Sequence, residues 1–292
     1  MFKYSPAPDS ANQSLQYIAT VSQYGWYIRN LHYWAAQVMV IAALLHMLRI
    51  VLTGGYLRGR AFNWIIGIIL LVFIVLMDFT GYPLRWDVKS NYALVTAINL
   101  INDIPVLGQF ICTLLFGGSD ITENTLLHLY GWHIAGLPFF FFLFMIYHFY
   151  RIRIDGGISE YKNELQPKTI SREALLKKET VFILFFSTGI IILSAISTPE
   201  LSLSVQNDLS EYRVNSPWIV LGIQFLLRYL HPLFGGVMMP VAVILYWISL
   251  PFMDKNNQVQ GIWFAGERIK FWFPFILSIL IISMLSIAEI VI

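Results

Sequence analysis

Six long apolar stretches constrain the fold of this 292-residue chain more than any other feature of its sequence. A helix needs about 20 apolar residues to cross the hydrocarbon core of a membrane. The chain is 57% hydrophobic and only 12% charged, whereas soluble domains are about 25% charged. The pattern predicts an all-α integral membrane protein with six transmembrane helices, at residues 27–52, 63–83, 126–150, 179–198, 218–250 and 269–291.

Two parts of this pattern are irregular. The fifth stretch is long and contains Pro232 and Pro240, so we expect a short surface helix followed by the true span. The connection at residues 84–125 contains two apolar pieces separated by a proline, which predict two short helices on the membrane surface. Asp120 and Glu123 have the spacing of a capping box, so we expect Asp120 to cap the third span.

Positive charge is distributed unevenly between the loops. The loops at 53–62, 151–178 and 253–268, with the first turn of the last span, hold twelve Lys and Arg residues. The N-terminal tail, the first turn of the first span and the other loops hold five. Such residues concentrate on the cytoplasmic side, so both termini should face the positive (periplasmic or lumenal) side of a bacterial-type energy-conserving membrane. The polar second loop divides the chain into predicted modules at 1–158 and 159–292. A net charge of +2 gives no indication of nucleic-acid binding.

Four histidines lie at matched positions in two of the predicted spans. His32 and His46 are 14 residues apart in the first span, and His133 and His148 are 15 apart in the third. At about 100° per residue each pair returns to one face of its helix, and its members are about 21 Å apart along the axis. Because the two spans cross in the same direction, His32 should pair in depth with His133 near the outer side, and His46 with His148 near the inner side.

Two pairs of facing imidazoles at two depths are the geometry of two bis-histidine haems, which suits electron transfer. A zinc site is disfavoured because the pairs are too far apart to share one ion. One alternative is that the histidines are core residues hydrogen-bonded to neighbouring helices. Another is a haem-free six-helix transporter, which would need polar groups at the membrane midplane. Ionisable groups within spans are rare and usually functional, which favours the haem-ligand interpretation.

Further candidate site residues surround the histidines. Arg29 and Arg49 each lie three residues outside a proposed iron ligand, where they can neutralise haem propionates or extend to the membrane surface. Gly67 and Gly81 in the second span are 14 residues apart, a spacing that lets two porphyrins approach the backbone or that serves helix packing. Asp78 in the same span is costly in lipid and should have a partner or a role, unless it reaches surface water.

Four segments resemble cytochrome b of the quinol-oxidising bc-type complexes. They are "GWYIRNLHYWAAQVMVIAALLHMLRIVLTGGY", "TGYPLRWD", "GGSDITENTLLHLYGWHIAGLPFF" and "MIYHFYRIRIDGG". The 15-residue interval in the third span is similar to the chloroplast (bf) form of the family. The region from about residue 179 is similar to subunit IV of that form, fused here to the haem-binding half. The resemblance implies a haem-binding helix bundle followed by a C-terminal three-helix module.

The resemblance also implies cofactors and partners. The outer histidine pair would hold a low-potential haem b and the inner pair a high-potential haem b, both non-covalently. A quinol site would lie near the outer haem and a second quinone site near the inner one, where Arg153 and Asp155 could bind quinone or propionates unless both are solvated. The chain would work within a multi-subunit quinol/quinone oxidoreductase, monomeric or dimeric, rather than as an enzyme alone. The implied partners are a Rieske iron–sulfur protein, a c-type cytochrome, or both.

Two departures from the family concern the surroundings of the haems. The first membrane helix of the family is expected to be absent, so another subunit or lipid should cover the side of the haems that this helix normally flanks. The additional covalent haem of the chloroplast form needs a cysteine near that helix. The single cysteine, Cys112, lies in the connection at 84–125, so no covalent haem is expected from this chain.

Two further departures concern the outer quinol site, which carries a Pro-Glu-Trp-Tyr motif in the family. The matching residues are Ser216–Ile219, with Pro217 in the place of the proton-accepting glutamate and Trp218 retained. Asp78 stands where the family has a small residue, and it joins Pro217 and Trp218 as a candidate catalytic position. Either quinol oxidation at this site is lost, or another acid replaces the glutamate. Three nearby acids are candidates: Asp87, Asp208 and Glu211.

Overall fold

The computed structural model describes residues 3–156, 171–202, 215–256 and 259–291. Within these residues the regular secondary structure is entirely helical. Its α-helices are α1 (Ala11–Thr20), α2 (Gly25–Thr53), α3 (Ala61–Gly81), α4 (Val88–Asn102), α5 (Gly108–Phe116), α6 (Glu123–Gly131), α7 (Leu137–Asp155), α8 (Arg172–Ile196), α9 (Leu221–Leu227), α10 (Met239–Met253) and α11 (Ile269–Val291).

Six helical stretches in the described part of the chain are long and apolar enough to cross a membrane. They are Gly25–Thr53, Ala61–Arg85, Glu123–Asp155, Arg172–Ile196, Leu233–Met253 and Gly266–Val291. This confirms the predicted all-α membrane fold. The fifth predicted stretch is divided as expected, because the short helix α9 ends at Leu227 and the span begins at Leu233.

The connection between the second and third spans contains α4 and α5, the two short helices that the sequence predicted. The start of the third span differs from the prediction. Thr122, not Asp120, is the N-cap of α6, and it forms a capping box with Thr125, whose hydroxyl accepts from the Thr122 amide at 2.9 Å. The physical reason is position: Thr122 has the extended backbone of an N-cap directly before the first helical residue.

The two halves of the chain pack against each other along the spans. Helix α3 packs along α7, and α2 contacts both α3 and α8. Helix α10 packs on α3, while α11 contacts α2 and pairs closely with α9. The predicted module boundary at residues 158 and 159 lies outside the described residues, so the division remains a prediction.

A buried polar cluster joins the two halves at the end of the bundle opposite α4 and α5. The fully buried Arg268 donates from Nε to Asp254 at 2.7 Å, and from Nη2 to the Tyr56 hydroxyl at 2.8 Å and the Val51 carbonyl at 3.1 Å. Tyr56 in turn donates to Asp254 at 2.9 Å. A buried charge is tolerated only when it is paired and hydrogen-bonded, so this cluster fixes how the last span docks on the first.

Candidate functional site

The histidines of α2 and the third span meet at one end of the bundle. The ring centroids of His32 and His133 are 5.9 Å apart, with the ring planes perpendicular at 90°. Two imidazoles bound to one metal ion at about 2.0 Å from each nitrogen have centroids roughly 6 Å apart. The spacing therefore fits a pair of histidines that would together hold one iron. This level lies near α4 and α5 and is called the outer level, after its predicted orientation.

Side chains and backbone of α3 orient His133. Its Nδ1 lies 3.1 Å from the Met77 carbonyl oxygen and 3.3 Å from the Thr80 hydroxyl. A hydrogen bond from Nδ1 to a carbonyl fixes the ring and leaves Nε2 free, which is the usual support of a histidine that binds metal. Gly81 makes room for this arrangement, since a Cβ there would lie 2.6 Å from Cε1 of His133.

A π-helical segment, Trp132–Gly136, contains His133 and joins α6 to α7. Fifteen α-helical steps would rotate His148 about 60° past His133, whereas 14 steps leave His46 about 40° short of His32. A π-turn takes up one extra residue and often occurs at functional sites. The longer interval in the third span is thereby compensated, and both of its histidines face α2.

His46 and His148 form the second, inner level. They lie close enough for their charges to interact. Gly67 of α3 faces this pair, and a Cβ there would lie at an ordinary 3.7 Å from Cε1 of His148. The Nδ1 of His148 makes no hydrogen bond of normal length with the described residues and has only a weaker backbone interaction with Asn63.

An apolar cluster separates the two levels. It consists of five buried residues from three spans: Val40, Ile66, Leu70, Ile74 and Phe141. His133 and His148 are half-buried, whereas His32 and His46 on α2 are exposed.

The two arginines beside the histidines differ in their surroundings. Arg29 is buried and donates from Nη1 to the Pro199 carbonyl at 3.0 Å, so part of its guanidinium is used to hold the segment after α8 against α2. Arg49 is exposed and close enough to His46 for their charges to interact. A propionate contact remains a prediction for both residues.

The inner candidates Arg153 and Asp155 lie in the last turn of α7. Arg153 is exposed, and its side chain is available to a ligand. The Asp155 carboxylate forms an ion pair with Arg151, which lies one helical turn earlier, at a distance of 2.6 Å. The backbone carbonyl of Asp155 accepts a hydrogen bond from the Arg60 side chain at 3.0 Å. The Asp155 carboxylate thus has a structural partner, and its predicted quinone role is less well supported than that of Arg153.

A cavity of about 830 Å³ lies at the outer level between α3, α4, α9 and α10. This volume is within the range of small-molecule sites, and its mostly apolar lining with a few polar groups is typical of them. Thr80, whose hydroxyl reaches His133, lines the cavity, and Ser216 lines it on the opposite wall. The Ser216 amide donates to Gln224 at 2.7 Å, which holds the start of the motif segment.

Of the motif residues, Pro217 and Trp218 have structural contacts. The Pro217 carbonyl accepts from the Val220 amide at 2.9 Å. The Trp218 indole donates to the Gln37 side chain of α2, and Gln37 donates to Asp78 at 2.9 Å. Sequence reasoning missed Gln37, because nothing in the chain indicates a contact between residues 181 positions apart.

Two other residues that the sequence singled out are structural. Asp87 is fully buried, caps α4 through the Ser90 amide at 2.9 Å and forms an ion pair with Arg85. Cys112 is fully buried between α4 and α5, with its Sγ 3.7 Å from the Ile98 carbonyl. The other candidate acids, Asp208 and Glu211, lie outside the described residues.

Comparisons with known proteins identify the family and the fold of the chain. Residues 1–156 match the family model "Cytochrome b/b6/petB". Cytochrome b6 of Acaryochloris marina is 39% identical over 155 residues, which cover 53% of this chain and 72% of that protein. Cytochrome b6 of Mastigocladus laminosus is 40% identical over 155 residues, which again cover 53% of this chain and 72% of that protein. A chain of a hyperthermophilic respiratory Complex III has the same fold, with a TM-score of 0.79 at 21% identity, over 99% of this chain and 78% of that one. The chain belongs to the cytochrome b/b6 family.

Proposed function

We propose that the chain is a di-haem cytochrome b that carries electrons across the membrane between a quinone/quinol pool and redox partner subunits. Family membership implies membrane electron transfer with haem b. The observation that supports the two-haem proposal is the 5.9 Å approach of the His32 and His133 rings at the outer level. His46 and His148 are proposed to hold the second haem at the inner level, where their side chains lie near each other. When bound by these histidines, haem b would supply reversible one-electron exchange.

The outer cavity is proposed to bind quinol. Thr80 supports this because it lines the cavity and its hydroxyl lies 3.3 Å from His133. A quinol in the cavity would thus be one side chain away from the outer ligand pair. At the inner level, the exposed Arg153 is proposed to bind the quinone at the second site, with Arg49 beside His46.

The proposed partners follow from the family. The structural neighbour is part of a respiratory Complex III, and we infer a multi-subunit complex, as a monomer or a dimer, with a Rieske iron–sulfur protein, a c-type cytochrome, or both. A helix of another subunit or lipid is proposed to cover the haem-binding side of the bundle. We expect an energy-conserving membrane, with both chain termini on the positive side.

A second candidate function keeps the haems but lacks quinol oxidation at the outer site. Pro217 in the place of the motif glutamate favours it. In that case electrons would pass between a soluble redox partner and a single inner quinone site.

Reduction of the haems by quinol separates these functions. The complex is purified in mild detergent and mixed with a short-chain quinol, and the b-type absorbance is followed with and without an inhibitor of outer-site quinol oxidation. The inner site is blocked with a second inhibitor. If quinol is oxidised at the outer site, the outer-site inhibitor should then slow reduction of the haems. If reduction proceeds only through the inner site, the second function is correct.

A further inference from the structure

One charged side chain lines the outer cavity. Helix α9 and its two capping residues present a single face to the cavity, with the i, i+3, i+4, i+7 and i+8 spacing of an amphipathic helix: Val220, Ile223, Gln224, Leu227 and Arg228. Among the described residues of the lining, Arg228 is the one that is charged at neutral pH, and none is an aspartate, a glutamate or a histidine. Polar recognition in this cavity therefore depends on hydroxyl groups, amides and one guanidinium.

Packing of α9 on α11 sets the position of Arg228. Gly222 lies against α11, where an added Cβ would be 3.2 Å from the Ile282 carbonyl oxygen and 3.3 Å from the Ser286 hydroxyl. The absence of a side chain at Gly222 lets the two helices approach closely. Toward the C-terminal ends of both helices, Arg228 forms an ion pair with Glu289 through its Nη2. The guanidinium is thus held between α11 and the cavity.

Glu289 restricts the guanidinium to this place. The residue is fully buried, and its Oε2 has no hydrogen-bond partner among the described residues. A buried carboxylate is strongly unfavourable without its cation, so Glu289 keeps Arg228 at the cavity wall. The Arg228 side chain is nevertheless 32% exposed. A guanidinium has five N–H donors, and those not used by Glu289 bond to no other described residue.

The ion pair also determines which ligands suit the cavity. Because Glu289 neutralises Arg228, a charged anion such as a phosphate would gain little attraction from the pair and would be repelled by the nearby carboxylate. A neutral oxygen acceptor avoids this repulsion and can still accept a charge-assisted hydrogen bond from the guanidinium. The rest of the lining is mostly apolar and includes Leu76 and Phe79 of α3. A flat apolar ring that carries a neutral oxygen, as in a quinol or quinone, has both properties.

We propose that Arg228 binds an oxygen atom of the quinol, and of the quinone formed from it, by donating hydrogen bonds from its guanidinium in the outer cavity. The inference deepens the proposed function of this cavity and rests on it. Thr80, whose hydroxyl lies 3.3 Å from His133, lines the same cavity, so the ligand held by Arg228 shares its space with a side chain that contacts the outer histidine pair. Glu289 is a positioning residue, because it acts on the ligand through Arg228.

The test removes the guanidinium without leaving a buried charge. Arg228→Met alone would leave the Glu289 carboxylate unpaired, so the variant combines it with Glu289→Met; replacing a buried ion pair by apolar residues is often neutral for stability. Binding of duroquinone to the intact complex is measured by isothermal titration calorimetry with the inner site inhibited. A hydrogen bond from a charged group is worth about 10- to 100-fold in affinity, and we expect the Kd to rise by at least about tenfold. The KM of duroquinol for haem reduction should rise by the same factor, while the maximal rate and the haem content stay parental.

Glu289→Gln is the matched control. It keeps the guanidinium and an oxygen that can accept from it, and it should bind duroquinone with the parental Kd. A second double variant, Arg228→Gln with Glu289→Gln, keeps neutral hydrogen-bonding side chains at both positions and should show weakened binding as well. It decides the question if the apolar double variant loses haem.

The outcomes separate the role of Arg228 from oxidation at the outer site. A parental Kd in the double variants, or an equal loss of affinity in Glu289→Gln, overturns the role of Arg228. If the parent binds duroquinone but duroquinol does not reduce its haems with the inner site inhibited, outer-site oxidation fails, and the Kd values still decide the role of Arg228. If the parent does not bind duroquinone under these conditions, the outer quinol site and the inference are both overturned.

Discussion

Replacing Gly81 with alanine should selectively disturb the outer haem. The added Cβ would lie 2.6 Å from Cε1 of His133, where ordinary carbon contacts are about 3.5–4.0 Å. The ring must therefore retreat by roughly 1 Å. That shift disrupts the 3.1 Å contact of Nδ1 with the Met77 carbonyl. Loss of such a supporting partner typically lowers metal affinity by about 10- to 100-fold.

Gly189→Ala, in α8, is the matched control. A Cβ at Gly189 would have no heavy atom within 4 Å, so this substitution requires no movement. The assay is a redox titration of each purified variant with haem content per chain. Gly81→Ala should lose or shift the outer haem and keep the inner one, and Gly189→Ala should keep both. An unchanged outer haem in Gly81→Ala, or equal damage in the two variants, would refute this account of His133.

Two further predictions concern stability and reactivity. Arg268→Met leaves Asp254 buried without its cation and should destabilise the chain by about 3–5 kcal/mol. The loss should be seen as a lower midpoint of thermal unfolding. Lys177→Met, the control, removes only an exposed ion pair and should leave the midpoint unchanged. Burial raises the pKa of the Cys112 thiol, so the neutral form persists to higher pH than in an unfolded chain. Iodoacetamide at pH 8 should therefore leave Cys112 unmodified until denaturant is added, and rapid labelling of the folded complex would contradict its buried position.

The features that sequence reasoning found are those set by helical periodicity. The positions of the spans follow from apolar length, and the prediction that the four histidines face each other in pairs follows from about 100° per residue. The π-turn at Trp132–Gly136 was not predicted, because its signal is one extra residue in an interval and an α-helix can absorb that residue elsewhere. The capping prediction at Asp120 was wrong because Thr122 has the same chemistry two residues closer to the helix.

Long-range polar contacts were also beyond the sequence. The bond from Trp218 to Gln37 and the burial of Arg268 depend on how the two halves of the chain dock, which no local pattern specifies. Asp78 was recognisable as an unusual acid in an apolar span. Its neighbours became visible only when α2, α3 and the motif segment were placed together.

The central claim is that the chain binds two haems and that each haem is held by its own pair of histidines. Its most direct test is a haem count with a redox titration of the parent and of His32→Leu, His133→Leu, His46→Leu and His148→Leu. We predict two b-type haems per chain with distinct potentials, the same haem lost in the His32 and His133 variants, and the other lost in the His46 and His148 variants. A single haem in the parent, or loss of different haems within one pair, would contradict the account.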